Sequence, residues 1–189
     1  MSAFEFAFTL FGLVLGLAMA EVLAGFVRVL KARSKAPGES AKIRIGWLTP
    51  AIGAIVLLDL ITSWLLAWKA RELIPITMLT LSGGTLATAL YFVAASLVWP
   101  DEPAEWPDLD AWFDRHKGQI GGAIVAANVG FSACAVLTGA GTVPVLQVIY
   151  IASAAALIVT RRRWQSAIVV VALLLNLAEA FSSDVLALL

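Results

Sequence analysis

The chain is short of charge. Only 14% of its 189 residues are Asp, Glu, Lys or Arg, against about a quarter in soluble domains. Acids and bases cancel to a formal net charge of zero, so there is no basic field to attract nucleic acid. One cysteine, Cys134, excludes an internal disulfide and a second thiolate for a metal. One histidine, His116, falls outside the apolar runs and leaves none inside them to ligate a haem. The same placement excludes a Ser–His pair within those runs. The Gly-rich segments "SGGT" and "TGAGT" lack a P-loop lysine and a strand–helix context. An intramembrane aspartyl pair needs two central acids of that type, and only Asp59 is central. Enzyme classes are thereby disfavoured, and the sequence calls for no cofactor and no metal ligand set.

What the chain has is apolar length. It is 61% hydrophobic, with seven Trp and a mean hydropathy of +0.92. A helix crosses a bilayer with about 20 residues, and the uninterrupted apolar runs reach that length. Helix is the reading these runs allow, because an open strand cannot satisfy its backbone in lipid. The expected fold is all-α: a single polytopic membrane domain over residues 1–189. Six transmembrane helices are expected at about 4–30, 46–69, 74–98, 118–138, 143–160 and 164–185. Ala18-Met19-Ala20 resembles a signal-peptidase site. Met1 to Phe11 carries no Lys or Arg, so the basic region of a signal peptide is missing and the first run reads as a retained span.

Loop charge predicts direction. The first loop carries Lys31, Arg33, Lys35, Lys42 and Arg44, the third Arg115 and Lys117, and the fifth Arg161-Arg162-Arg163. The opposite loops hold Lys69 and Arg71. Basic loops face the cytoplasm, so both termini are expected outside it, in what resembles a bacterial inner membrane. Trp47, Trp99 and Trp164 then mark the inner interface and Trp68 the outer one.

The third loop, residues 100–117, is the sizeable polar element. "WPDEPAEWPDLDAWFDRHK" sets six acids against Arg115 and Lys117. Pro107, Asp108 and Asp110 suit a helix start. Leu109, Trp112, Phe113 and His116 follow the i, i+3, i+4, i+7 spacing. A short amphipathic helix at the interface is expected here, separate from the spans, with its acids facing the basic loops on the same side. A divalent-cation site of Asp101, Glu102, Glu105 and Asp108 matches no calcium-loop spacing.

Polar residues inside the runs carry the functional reading. Asp59 lies in "IVLLDLITSWLLAW", with Thr62 and Ser63 one turn on. Glu21 shares a face with Gly25 and Arg28. Span 3 has the stripe Thr80, Gly84, Thr88 and Tyr91, and span 4 has Asn128 and Ser132. Span 5 has Gln147 and Tyr150, and span 6 has Gln165, Asn176, Glu179 and Ser183. Counted at 1.5 Å per residue from the inner end, Glu21 lies roughly 13 Å deep, Asn128 15 Å and Asn176 18 Å. Asp59, Gln147 and Gly84 lie roughly 20 Å deep, and Glu179 about 22 Å. Groups at a common depth on six helices are expected to meet at the bundle centre, with Glu21, Asp59 and Glu179 as its titratable members. Arg28 reads as a residue snorkelling to the headgroups.

Small residues recur every fourth position at Gly12, Gly16, Ala20 and Ala24, and at Gly122, Ala126 and Gly130. Such ridges let helices approach closely, inside the bundle or against a second copy or a membrane partner protein. Gly83-Gly84 marks a close approach or a flexible point. Pro50 and Pro144 sit at span starts, where a missing amide costs little.

Three functions fit these residues. The first is a small channel or transporter for protons or cations, using the polar layer. The second is a non-catalytic subunit or scaffold, holding a partner with its ridges and acidic loop, in which the polar layer only joins helices. The third is a binder of lipid or quinone lined by Trp64, Tyr91 and Tyr150.

Overall fold

Apolar runs capped by turn-forming residues become helices throughout the computed structural model. It describes residues 3–35, 43–139 and 141–188, leaving out the side chains of 3, 163, 179–180 and 182–188. Among the described residues the α-helices are α1 (Ala3–Lys35), α2 (Leu48–Lys69), α3 (Met78–Val98), α4 (Leu109–Leu137), α5 (Val145–Val159) and α6 (Arg162–Leu188), with a 3-10 turn at Pro103–Glu105. No strand occurs among them. Helices α1 to α4 are long and apolar enough to cross a membrane, which marks the chain as an integral membrane protein. The apolar parts of α5, Val145–Val159, and α6, Trp164–Ala178, are shorter.

Local chemistry sets the ends. The Thr77 side chain accepts from the Thr80 amide while the Thr80 side chain accepts from the Thr77 amide, a capping box that starts α3. Residues 74–77, expected within the third span, are thus its lead-in. Asp108 accepts from the Asp110 amide and starts α4. Gly139, at φ 71°, closes α4 in the left-handed region that only glycine adopts freely.

The expected interfacial helix is corrected. Residues 109–117 are the first turns of α4 itself, 29 residues long. Gly118 alone does not stop a helix whose neighbours on both sides favour it. Leu109 and Phe113 are buried in the core rather than laid on lipid. Trp112 donates from Nε1 to the Leu97 carbonyl at 3.0 Å. Its ring stacks on His116, with 3.7 Å between centroids.

Helix α2 is the hub. It touches α1, α3, α4 and α6, and α5 bridges α4 and α6. The three basic loops meet at one end, as loop charge predicts. Arg44 donates its amide to Pro107 at 2.8 Å, and Leu109 returns a bond to Arg44 at 3.1 Å. Thr49 Oγ1 donates to the Leu109 carbonyl at 2.7 Å, and Lys117 Nζ to the Thr160 carbonyl at 2.8 Å. Three of the third loop's acids turn inward to this chain, while Asp101, Glu102 and Glu105 are exposed. Asp110 accepts from the Thr49 amide at 3.3 Å, Asp114 from Gln165 at 2.6 Å, and Asp108 pairs with Arg162 at 3.5 Å.

Two packing expectations change. Trp99 is no interface anchor but is 3% exposed, set in the notch of Gly25, where a Cβ would strike its ring. The ridge of α1 points outward from Gly16, since Gly16 and Ala20 are exposed, while Leu15, Ala18 and Val22 face the core. Gly12 lies near the Trp64 indole. Of the expected α4 ridge, Gly130 has a helix neighbour, Ala87 at 3.6 Å from a Cβ position, while Gly122 faces open space and Ala126 is exposed. Gly121, not Gly122, meets α5 at Ile158.

Candidate functional site: a buried carboxylate beneath a one-sided cavity

Asp59 stands midway along α2, the helix with the most neighbours, and is 4% exposed. A carboxylate there needs donors, since desolvation without hydrogen bonds costs several kcal/mol or more. Three helices supply them. Tyr150 of α5 donates its hydroxyl to Oδ2 at 2.7 Å. Asn128 of α4 donates Nδ2 to the same oxygen at 3.2 Å. Asn176 of α6 donates Nδ2 to Oδ1. Gln147, one turn before Tyr150, donates to Asn128 Oδ1 at 2.7 Å and fixes that amide's orientation. Ser63 Oγ, one turn after Asp59, donates to Tyr91 of α3 at 3.3 Å. Five helices therefore converge on one polar knot.

Of the residues expected in the polar layer, the structure brings some together and sets others apart. Asp59, Ser63, Asn128, Gln147 and Asn176 are brought together. Thr62 stands beside them with a buried hydroxyl that has no hydrogen-bond partner. Glu21 is a correction: it accepts from Arg28 at 2.8 Å along α1, and Arg28 also reaches Asp101 at 3.8 Å. Arg28 thus pairs with acids instead of only seeking headgroups. A side chain seven residues on spans two turns, and Arg is long enough to close that gap. Thr80 lines the cavity above the knot, while its hydroxyl and that of Thr88 bond elsewhere. Thr80 Oγ1 donates to the Pro75 carbonyl at 2.6 Å and Thr88 Oγ1 to the Thr85 carbonyl at 2.9 Å, so both serve the backbone of their own segment. The Glu179 side chain lies outside the described residues. Tyr150, expected with Gln147 in the polar layer and also weighed for a lipid or quinone site, is the shortest described donor to Oδ2. Its signal was its spacing of three from Gln147 on the polar face of α5.

Beyond the knot the bundle divides. Toward the basic end Ile52, Ile55, Ile120, Ile124 and Leu157 close over it, and the void left among them is about 10 Å³. Toward the other end a cavity of about 300 Å³ runs up from Asp59. Asp59, Thr62, Asn128, Gln147 and Asn176 form its polar part. Phe4, Phe8 and Phe11 of α1 and Phe131 of α4 form its aromatic wall. Phe11 presses on α3 where Gly84 leaves room, since a Cβ there would come within 2.8 Å of its ring. Gly84 thus serves close approach. Trp64, Tyr91 and Tyr150, the expected aromatic lining, lie elsewhere: Trp64 packs on Phe8 at 5.3 Å, and both tyrosines are buried. Cys134 also lines the cavity.

Among the described residues no three His, Cys, Asp or Glu side chains gather as a metal site. Asp101 and Asp108, considered for a divalent cation, instead meet Arg28 and Arg162.

A carboxylate at the foot of a one-sided cavity, inside helices built for a bilayer, defines the class: an integral membrane protein with a buried ionisable site. No family model, curated protein or solved structure matches the chain.

Proposed function

We propose that the chain is a six-span membrane bundle that moves protons or cations, with Asp59 as the exchangeable carrier. What carries the reading is the cavity that leads from one end of the bundle to Asp59 while the other end is shut. An ionisable group at mid-membrane is costly and is kept where it faces a bundle interior or a wet cavity. Asp59 does both. Access from one side only matches a carrier that alternates between two openings better than a standing pore.

The fifth and sixth spans are part of this proposal. Helix α5 has 15 residues, about 22 Å of rise against a hydrocarbon core of about 30 Å. Local thinning of the bilayer accommodates such a helix. Its position favours spanning: Thr160 meets the basic end through Lys117, and Pro144 lines the cavity toward the other. With the basic end in the cytoplasm, both termini and the cavity mouth face outward, in an inner-membrane setting. A second copy or a membrane partner would pack on the outward ridge of Gly16 and Ala20.

The scaffold alternative has less support, because Asp108, Asp110 and Asp114 bind Arg162, Thr49 and Gln165 of the same chain. The test is flux in liposomes driven by a pH gradient, wild type beside Asp59→Asn. The amide keeps the shape and cannot carry a proton, so flux is expected to fall at least about tenfold. Equal flux in the two proteins overturns the proposal.

A further inference from the structure

We infer that the cavity above Asp59 binds an amphiphilic organic monocation, an apolar or aromatic body bearing a primary or secondary ammonium head. This rests on the reading of Asp59 as an exchangeable site and names the substrate class for it.

The first ground is size and lining. A bare proton or alkali ion needs no chamber of about 300 Å³. That volume falls at the lower end of small-molecule pockets, roughly 300–1,000 Å³. The wall away from Asp59 is apolar, from Phe4, Phe8, Phe11, Phe131, Leu66 and Leu81. An apolar body replaces water there at a gain, and aromatic faces also attract a cation.

The second ground is the balance of donors and acceptors at the polar foot. Asp59 is an acceptor with about four lone-pair sites. Asn128 and Asn176 each give one N–H to Asp59 and Gln147 gives one to Asn128 Oδ1, and Asn128 also donates to the Ile124 carbonyl. Two buried oxygens are left over: Asn176 Oδ1 and Thr62 Oγ1 have no hydrogen-bond partner. Asn176 is 3% exposed, and both residues line the cavity. While Asp59 is ionised the Asn176 amide keeps its nitrogen toward it, because a carboxylate repels the amide oxygen, so Oδ1 stays available for a cation. A buried acceptor without a donor costs about 1–3 kcal/mol. The foot of the cavity therefore has acceptors to spare. A ligand that only accepts, such as a quinone, could take a bond from the Thr62 hydroxyl but would leave Asn176 Oδ1 unpaired and meet the carboxylate of Asp59 with another acceptor. An ammonium group brings two or three N–H donors and the charge opposite to Asp59.

The probe is 4-phenylbutylamine, protonated at neutral pH, with its uncharged counterpart 4-phenylbutanol. Titration calorimetry on the purified full chain, corrected by protein-free micelles, is expected to show saturable amine binding at least about tenfold tighter than the alcohol. Asp59→Asn is expected to remove that preference. Thr62→Val, which keeps shape and leaves the donors to Asp59 in place, is expected to weaken the amine several-fold and leave the alcohol unchanged. Bound amine is also expected to slow maleimide reaction at Cys134. Equal binding of amine and alcohol, or no saturable binding, overturns the inference. Asp59-dependent proton flux that the amine neither blocks nor uses leaves the transport reading standing and removes this ligand class. Asp59-dependent amine binding without any flux does the reverse.

Discussion

On one side of Asp59 the bundle is filled by Ile52, Ile55, Ile120, Ile124 and Leu157; on the other it is lined by Ala67, Ala70, Gly84, Ser132 and Ala135. The helices are the same. The halves differ in side-chain volume and in how their ends are tied. Branched aliphatics interdigitate to close packing, whereas small residues leave the space they do not fill. At the shut end, loops bond to one another across the bundle, Arg44 to Pro107 and Lys117 to Thr160. At the open end, the backbone bonds described for the amides of 70–77 stay within that segment and the end of α2. A polar residue in a membrane helix therefore does not make a cavity. Asp59 has one because on its outer side bulky groups such as Phe4, Phe8, Phe11 and Phe131 stand as walls around small residues, while on its inner side the aliphatic side chains meet and fill the space.

This contrast can be broken most sharply by a pair of substitutions. Ile120→Asp puts a carboxyl into the shut half without donors and is expected to cost about 3 kcal/mol or more. Ser132→Asp, on the cavity wall, is expected to cost less than about 1 kcal/mol, because water reaches it. Thermal unfolding in detergent reads both, and equal losses would show that the shut half is wet.

A chemical probe sharpens the same contrast. Cys134 lies on the cavity wall, and a water-soluble maleimide is expected to label it in the folded protein. A154C, built on Cys134→Ala, places the thiol among the shut-half side chains and is expected to stay unlabelled until the protein is denatured. Labelling of both would end the distinction between the halves.

The smallest effect tests the open end's local order. Thr77→Ala removes the capping box of α3 and is expected to lower stability by about 1 kcal/mol. The Thr80 amide would lose its acceptor, while Thr80 Oγ1 keeps the amide of residue 77, and amide exchange in the first turn of α3 should quicken. Unchanged exchange there would mean that the cap does not hold the cavity rim.

Residue order alone determined a good deal. Hydrophobic length called for membrane helices, because lipid offers no partner for a bare backbone. Loop charge grouped the basic loops at one end, and Arg44, Lys117 and Arg162 meet third-loop, α4 and fifth-loop groups there. Depth counting singled out Asp59, Asn128, Gln147 and Asn176, since rise per residue is constant along a helix. Tertiary structure decided the rest. Depth does not say which way a side chain turns about its helix, so Glu21, at a similar depth, went to Arg28 instead. Thr80 and Thr88 bonded to their own backbone, a choice open to any threonine in a helix. Nor does a list of apolar residues say which ones interlock. Only the packing of α1 against α2 and α3 set Phe4, Phe8 and Phe11 over Asp59, leaving one half of the bundle open and the other shut, because volume is filled by neighbours from distant parts of the chain.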